Sequence, residues 1–433
     1  MENLLDALKD IPIQPAEEKE WPFGNRGAYV VAPKTEAEMS WIVKQVNEAN
    51  QTLNIVGGGT KQGFGGQHEK ADLLMTLSNY KGIIEHSIGD MTMTVRAGTP
   101  MGDIARLLAE KGQMVPVDPA WPKQATIGGV IAANESGPKR LKYGSARDFV
   151  IGLRVVYPDG RIIRTGGKVV KNVAGYDMNK LFIGSMGTLG VISEITMKLK
   201  PISQYESLLH FQFSKEDIKR IESFVQELLH SQMEPVAIEF LNPRLNQTLF
   251  QKEAYGLLIS FEDHKKSVEA QEKWVFNHCP SGIDHAIYHQ EEAKEVWQRF
   301  SIIGPSPVAK VTDERIAIKI GSKTNAIFSM IETCDQFAAK WEVNVEAHGG
   351  AGHGLSKAFV EGHTDNLIAF INDIRDVAER ASGYVVCTHL PFWLRQKVNV
   401  WGDVPSHFFL LEGIKRAVDP NNYLNIGRFI GGI

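Results

Sequence analysis

The chain has 433 residues, of which 43% are hydrophobic and 23% charged, and a formal net charge of -4. That is the make-up of a folded protein too long for a single core, so two substantial domains are expected. The charge supplies no basic field for a nucleic-acid backbone or an anionic lipid surface, and no apolar run approaches the roughly 20 residues that span a bilayer, so neither nucleic acid nor membrane insertion is expected.

The first residues, MENLLDALKD, carry acids where a secretory leader would be basic and lack its apolar core, so the cytoplasm is the expected location. Cys279, Cys334 and Cys387 are scattered, odd in number and without a CxxC pair, which speaks against a disulfide framework or a zinc knuckle. An iron–sulfur cluster usually takes four closely arranged cysteines, so any such centre is expected on another chain.

In chain order, residues 28–32 read as a short strand, and Thr35 with Glu38 as a capping box before a helix whose Met39, Ile42, Val43 and Val46 share one face. Strand 53–56 runs into Gly57-Gly58-Gly59-Thr60, and 72–77 resumes strand character, giving a β-α-β unit. Strand 92–96 precedes a helix opened by Thr99-Pro100, with Pro100 expected at its first position. Strands 151–157 and 161–165 are joined by Pro158-Asp159-Gly160, a hairpin signal, and residues 191–199 alternate with a period of two up to Pro201. Beyond that proline, helices are predicted at about 214–230, 265–276, 325–341 and 364–381, and strands at about 236–241, 255–261, 316–320 and 384–388, an arrangement with an antiparallel sheet.

The stretch Ile55 to Gly63 (IVGGGTKQG) leaves a strand with consecutive unobstructed backbone N–H groups, which suits a pyrophosphate. It has neither the G-x-G-x-x-G register of a Rossmann turn nor the G-K-[ST] ending of a P-loop, and on its own it fits a surface loop equally well. A second glycine-rich block runs from Ala125 to Gly137 (ATIGGVIAANESG), followed by Tyr143 to Asp148 (YGSARD), Gly166 to Asp177 (GGKVVKNVAGYD) and Leu181 to Ile192 (LFIGSMGTLGVI). In content and order these blocks, from about Gly24 to Pro201, resemble the PCMH-type FAD-binding domain of the vanillyl-alcohol-oxidase superfamily. Within it, the KNVAGYD segment and the tail Leu424-Asn425-Ile426-Gly427-Arg428 are most similar to the flavin-binding E-subunit family of glycolate oxidase. That family's N-P-G-[RK] element has Ile426 here in place of its proline.

The resemblance implies an α+β fold: a PCMH-type FAD-binding domain of two α+β subdomains (22–201), an α/β cap domain with an antiparallel sheet (202–400), and a C-terminal segment returning to the flavin (401–433). It implies that Gly57, Gly58, Gly59, Thr60, Gln62 and Gly63 wrap the FAD pyrophosphate. Thr126, Gly128, Gly129, Asn134 and Gly144 would line the flavin and ribityl side, Asp148 and Ile192 would flank the nucleotide, and Asn425 and Arg428 would approach it from the tail. Ordinary turn and cap roles are the commoner use of Asn134 and Asp148. Some relatives tether FAD through histidine or cysteine; Thr60, Lys61 and Gln62 stand where such a histidine would be, so non-covalent FAD is expected.

Residues 346–354 (EAHGGAGHG) loosely resemble the H-x-G-D-G-N-x-H element that holds a metal in D-2-hydroxy-acid dehydrogenases. Aligned on His348, its acidic, asparagine and second histidine positions are Ala351, His353 and Leu355, so no metal is expected. His348, His353 and, after strand 384–388, His389 are candidates for a base or a contact to a substrate carboxylate, with nothing in the sequence to rank them. A structural histidine in a glycine-rich turn is the ordinary use of any one of them.

The implied reaction is oxidation of a small 2-hydroxy acid, glycolate or D-lactate, by hydride transfer to flavin N5. Electrons would pass to an iron–sulfur subunit, with a second flavin subunit as a further partner. The alternative is a non-catalytic FAD-binding subunit serving assembly or electron relay in such a complex.

Overall fold

The computed structural model describes residues 1–17, 22–66, 68–168, 175–306 and 315–433. Of the Gly166–Asp177 block, residues 169–174 therefore lie outside the described residues, and with them most of the KNVAGYD segment.

The N-terminal part builds two sheets on one core. In the first, strands Arg26–Val31, Lys70–Thr76 and Leu53–Val56 run parallel, with Lys70–Thr76 in the middle and Ile13–Pro15 added antiparallel outside Arg26–Val31. Parallel neighbours need a crossover, and helix Glu36–Glu48 supplies it, burying Met39, Ile42, Val43 and Val46. Thr35 caps its start by accepting from Glu38 N at 3.1 Å, while the Glu38 carboxylate reaches one residue further back than a capping box requires, to Lys34 N at 2.7 Å. The second sheet is antiparallel throughout, in the order Ile83–Ser87, Thr92–Arg96, Val191–Lys198, Val150–Val156, Ile162–Gly166. Gly160, at φ +84°, makes the turn between the last two strands in space, which the Pro-Asp-Gly signal anticipated. Arg154 and Ser193 of this sheet both bond Glu36 of the crossover helix, so the two sheets are tied across their shared apolar cluster.

The second half is one antiparallel sheet of eight strands: Asp284–His289, Tyr205–Phe213, Tyr255–Asp263, Ala237–Leu241, Asn344–Gly350, Leu355–Glu361, Arg315–Gly321 and Tyr384–His389, in that order. Side chains alternate between its faces. Leu209, Leu257 and Ile259 join the large cluster under helices Ile218–His230, Lys265–His278, Ile327–Lys340 and Thr364–Arg380, whereas Leu208, Leu241 and Leu258 meet helices Pro243–Phe250 and Glu291–Phe300 on the other side. The remainder of that second face looks toward the N-terminal lobe. Lys139 locks the lobes together: it reaches Glu206 at 3.0 Å and also Glu262, and Glu262 accepts from Tyr143 Oη at 2.5 Å.

The chain then returns. After helix Phe408–Val418, Leu53 N donates to Tyr423 O and Asn425 N to Leu53 O, each at 2.9 Å, which covers the free edge of the strand that leads to the first glycine loop. Buried Lys415 anchors the return, pairing with Asp419 at 2.6 Å and donating to Thr188 O and Leu424 O.

Candidate functional site

The first glycine loop lies directly on the segment leading to helix Ile127–Ala133. A Cβ on Gly57 would stand 2.1 Å from Thr126 Oγ1 and one on Gly58 1.7 Å from Gln124 O, so these two glycines are needed for packing. Gly59, at φ +73°, and Gly129 differ. A Cβ on Gly59 would meet nothing within 4 Å, and one on Gly129 only Thr126 Oγ1 at 3.3 Å. Both open into a cleft of about 730 Å³.

Eleven of the residues expected to hold FAD line this cleft: Gly57, Gly58, Gly59, Thr60, Gln62, Thr126, Gly128, Gly129, Ile192, Asn425 and Arg428. Asn134, in a left-handed conformation at φ 47° that ends the helix, faces the two adjoining cavities instead. Gly63, Gly144 and Asp148 are not part of the lining. Gly63 packs on the His389 ring, and Asp148 accepts from Ser145 N at 2.7 Å as a cap, with that backbone bond first among the causes that lower its pKa.

The tail closes the cleft. Asn425 spends its amide on two backbones, accepting from Ile55 N and donating to Met186 O, each at 2.8 Å, so it ties the strand that leads into the first glycine loop to the turn at Met186-Gly187. Arg428 donates to Lys61 O at 3.0 Å and Phe64 O at 3.1 Å and keeps a bare Nε; burial lowers its pKa to about 10. The turn forms without the missing proline: Asn425 and Gly427 take φ 47° and 72°, and Gly66 N donates to Gly427 O at 3.0 Å.

These features fit FAD. Two glycine backbones give an unobstructed approach to a pyrophosphate, and Gln62 Oε1, which lines the cleft, is buried without a donor, a position that a ribityl hydroxyl or a ring N–H would satisfy.

Beside the cleft, and sharing Thr60, Lys61 and Ala133 with it, lies a cavity of about 1390 Å³ floored by the eight-stranded sheet. All three candidate histidines face it. Residues 346–354, expected as a glycine-rich turn, are the end of one strand and the head of a hairpin: Asn344–Gly350 pairs with Leu355–Glu361. Glycine is required in the strand because a Cβ on Gly349 would strike Ile327 of the covering helix and one on Gly350 the His353 ring.

The structure ranks the histidines. Glu239, which the sequence reading missed, is buried on strand Ala237–Leu241 and accepts from His348 Nδ1 at 2.7 Å. Burial alone would raise its pKa, but the bond from His348 and then the nearby His353 ring hold it down at about 2, so it is a carboxylate. The His348 bond puts a proton on His348 Nδ1, so that Nε2 is the acceptor of the neutral ring. His353 is held through Nδ1, which accepts from Leu355 N at 3.3 Å, while its Nε2 is buried without a hydrogen bond, 3.5 Å from Glu239 Oε1. His389, packed edge-on against Phe23, is pushed down to about 3 by burial and then by Lys61, Arg395 and Arg315, and is neutral. A lone acid in an otherwise apolar five-residue strand was the available signal for Glu239.

The same cavity is lined by Lys61, Arg140, Lys319 and Lys357 together with the acids Asp118, Glu135 and Glu239. Lys61 pairs with Glu135 at 2.5 Å and Lys357 stands 4.0 Å from it, whereas Lys319, lowered to about 8 by burial and then by Lys357 and Arg140, has no acid bonded to it among the described residues. Also among the described residues, no group of three or more His, Cys, Asp or Glu side chains is arranged to hold a metal ion, and no helix is long and apolar enough to cross a membrane.

Residues 27–166 match the FAD binding domain family. The chain is 31% identical to glycolate oxidase subunit GlcD of Bacillus subtilis over 92% of its own length and 88% of that protein. It is 34% identical to glycolate oxidase subunit GlcE of Escherichia coli over 46% of its length and 56% of that protein. Its fold superposes on p-cresol methylhydroxylase with a TM-score of 0.78 at 16% identity, covering 99% of this chain and 95% of the other.

Proposed function

The chain belongs to the PCMH-type FAD-binding superfamily, in the family of glycolate oxidase subunit GlcD, and from that premise we propose that this FAD-linked oxidoreductase oxidises a small 2-hydroxy acid such as glycolate or D-lactate. The observation that carries the reading is the His348–Glu239 pair, whose free Nε2 faces a cavity continuous with the flavin cleft. When bound, FAD supplies N5 as acceptor for the hydride leaving C2. His348 Nε2 takes the hydroxyl proton, and Glu239 fixes its tautomer and balances the charge that forms. Lys357, directly opposite His348 on the next strand, meets the substrate carboxylate. Phe300, edge-on to His348 at 4.8 Å, and Phe359 keep water from that side of the ring.

FAD is held without a covalent bond in this reading; among the described residues no histidine or cysteine lines the cleft. Electrons pass to an iron–sulfur subunit working beside a second flavin subunit. Two observations support this: relatives are named as oxidase subunits, and Cys334 and Cys387 are buried free thiols, without the clustered ligands that a centre on this chain would need.

Ala351, His353 and Leu355, where the dehydrogenase element would carry an acid, an asparagine and a histidine, favour a second reading: a subunit that binds FAD and relays electrons without turning over substrate. Anaerobic stopped-flow mixing of the FAD-loaded chain with glycolate and D-lactate decides between them. Bleaching of the oxidised flavin band is expected; a band that persists with both acids assigns the relay role.

A further inference from the structure

The cavity over the eight-stranded sheet has an apolar corner beside His348. On the sheet face, Phe359 follows Lys357 by two residues, about 7 Å along the strand and on the same side. The Phe359 ring centre is 6.2 Å from that of His348, and Phe300 stands edge-on to His348 at 4.8 Å. Ile303 and Pro305, just beyond Phe300, continue the wall, and the N-terminal lobe adds Trp121. None of these five residues lines the FAD cleft. Glu346 and Arg315, the charged neighbours of Phe359, are paired with each other and stay out of the cavity lining. Trp121 is fixed across the lobes, its N donating to Ser301 O at 3.0 Å. Its backbone takes φ 54°, uncommon for so bulky a side chain and a kind of strain that gathers at binding sites, and its indole Nε1 is buried without an acceptor. On the far side of the His348–Lys357 pair the His353 ring packs over Gly350, so that direction is already filled.

We infer that this corner receives the substituent on C2 and that the preferred substrate is a 2-hydroxy acid with an aromatic side chain, of the size of 3-phenyllactate. The inference rests on the reading of His348 as the base. C2 is tetrahedral. Its hydrogen leaves toward the flavin, its hydroxyl faces His348 Nε2 and its carboxylate faces Lys357, which leaves one direction for the fourth substituent. With His353 over Gly350, that direction runs toward Phe300 and Phe359. The methyl of lactate reaches only about 1.5 Å from C2, and the second hydrogen of glycolate less. A benzyl group extends into the corner, where edge-to-face packing on Phe300, Phe359 and Trp121 favours an arene over an aliphatic chain.

The test is calorimetric binding of pyruvate, 4-methyl-2-oxopentanoate and phenylpyruvate to the FAD-loaded chain, three oxo acids that differ only in the C2 substituent and do not reduce flavin. Burial of the ring is expected to make phenylpyruvate bind about thirtyfold more tightly than pyruvate, with the branched aliphatic acid between them. Trp121→Gly removes one wall, and glycine adopts that backbone angle freely, so the chain should fold. The preference should then drop to about threefold or less. Phe359→Ala should act likewise from the sheet and is read in its place if Trp121→Gly does not fold. Equal binding of pyruvate and phenylpyruvate, a branched acid that matches phenylpyruvate, or a preference that survives both variants overturns the inference. Flavin reduction in the same preparation separates the failures. Reduction by lactate with equal oxo-acid binding removes only the aromatic corner, whereas no reduction by any 2-hydroxy acid, 3-phenyllactate included, removes the base assignment and the inference together.

Discussion

At the scale of single residues, the site turns on a carboxylate that was hard to see. Glu239 sits among Ala237, Ile238, Phe240 and Leu241, all buried, and only the fold brings it to His348 from more than a hundred positions away in sequence. Replacing it by Gln removes the charge that balances an imidazolium. The rate of flavin reduction by the preferred acid should fall about 10²-fold or more while FAD content is kept, as stopped-flow and absorbance would show. His389 makes a different prediction. Held near 3 in the fold, it titrates near 6.5 in the unfolded chain. Between those values the unfolded state binds a proton that the folded state refuses, so stability falls as pH falls, by up to about 1.4 kcal/mol per unit. Urea melts at pH 7 and pH 5 should show a smaller loss for His389→Leu than for the unaltered chain. The candidate histidines themselves were legible as residues, but their ranking was not, because it depends on which ring nitrogen is already engaged.

Among the elements, the glycine loops divide by what a side chain would meet. Gly58 is barred by Gln124 O, so a substitution there would displace the loop whatever it binds. Gly129 has ordinary helical geometry and space in front of it, so Gly129→Val should leave the secondary structure and melting of the FAD-free chain intact. It should also abolish flavin retention, measured as absorbance after gel filtration; full retention would remove this cleft from consideration. Both glycine blocks, the crossover helix and the 158–160 turn could be read from local pattern, since capping, glycine runs and alternation are local signals. The hairpin carrying His348 could not. Gly349, Gly350, Gly352 and Gly354 imitate a loop, and the first two are strand residues only because a helix and a histidine press against them. Strand Tyr205–Phe213 was missed as well; it is buried on both faces, which erases the period of two.

For the whole molecule, function depends on two lobes meeting, and Lys139 with Glu206 and Glu262 is their main ionic contact. Lys139→Met leaves two carboxylates in the interface without their cation. Because Lys139 is only partly exposed, a loss of about 3 kcal/mol in stability is expected, seen as a lower urea midpoint with FAD bound. In this assembled cavity His348 is proposed to take a proton as a hydride leaves C2 of a 2-hydroxy acid. The most direct test is anaerobic single-turnover reduction of the FAD-loaded chain by a 2-hydroxy acid and its C2-deuterated form, in the unaltered chain and in His348→Asn. Deuterium is expected to slow the reduction, and loss of His348 to lower it by a further factor of about 10² or more. Reduction that is as fast in His348→Asn, or flavin that stays oxidised with every acid, would contradict that role.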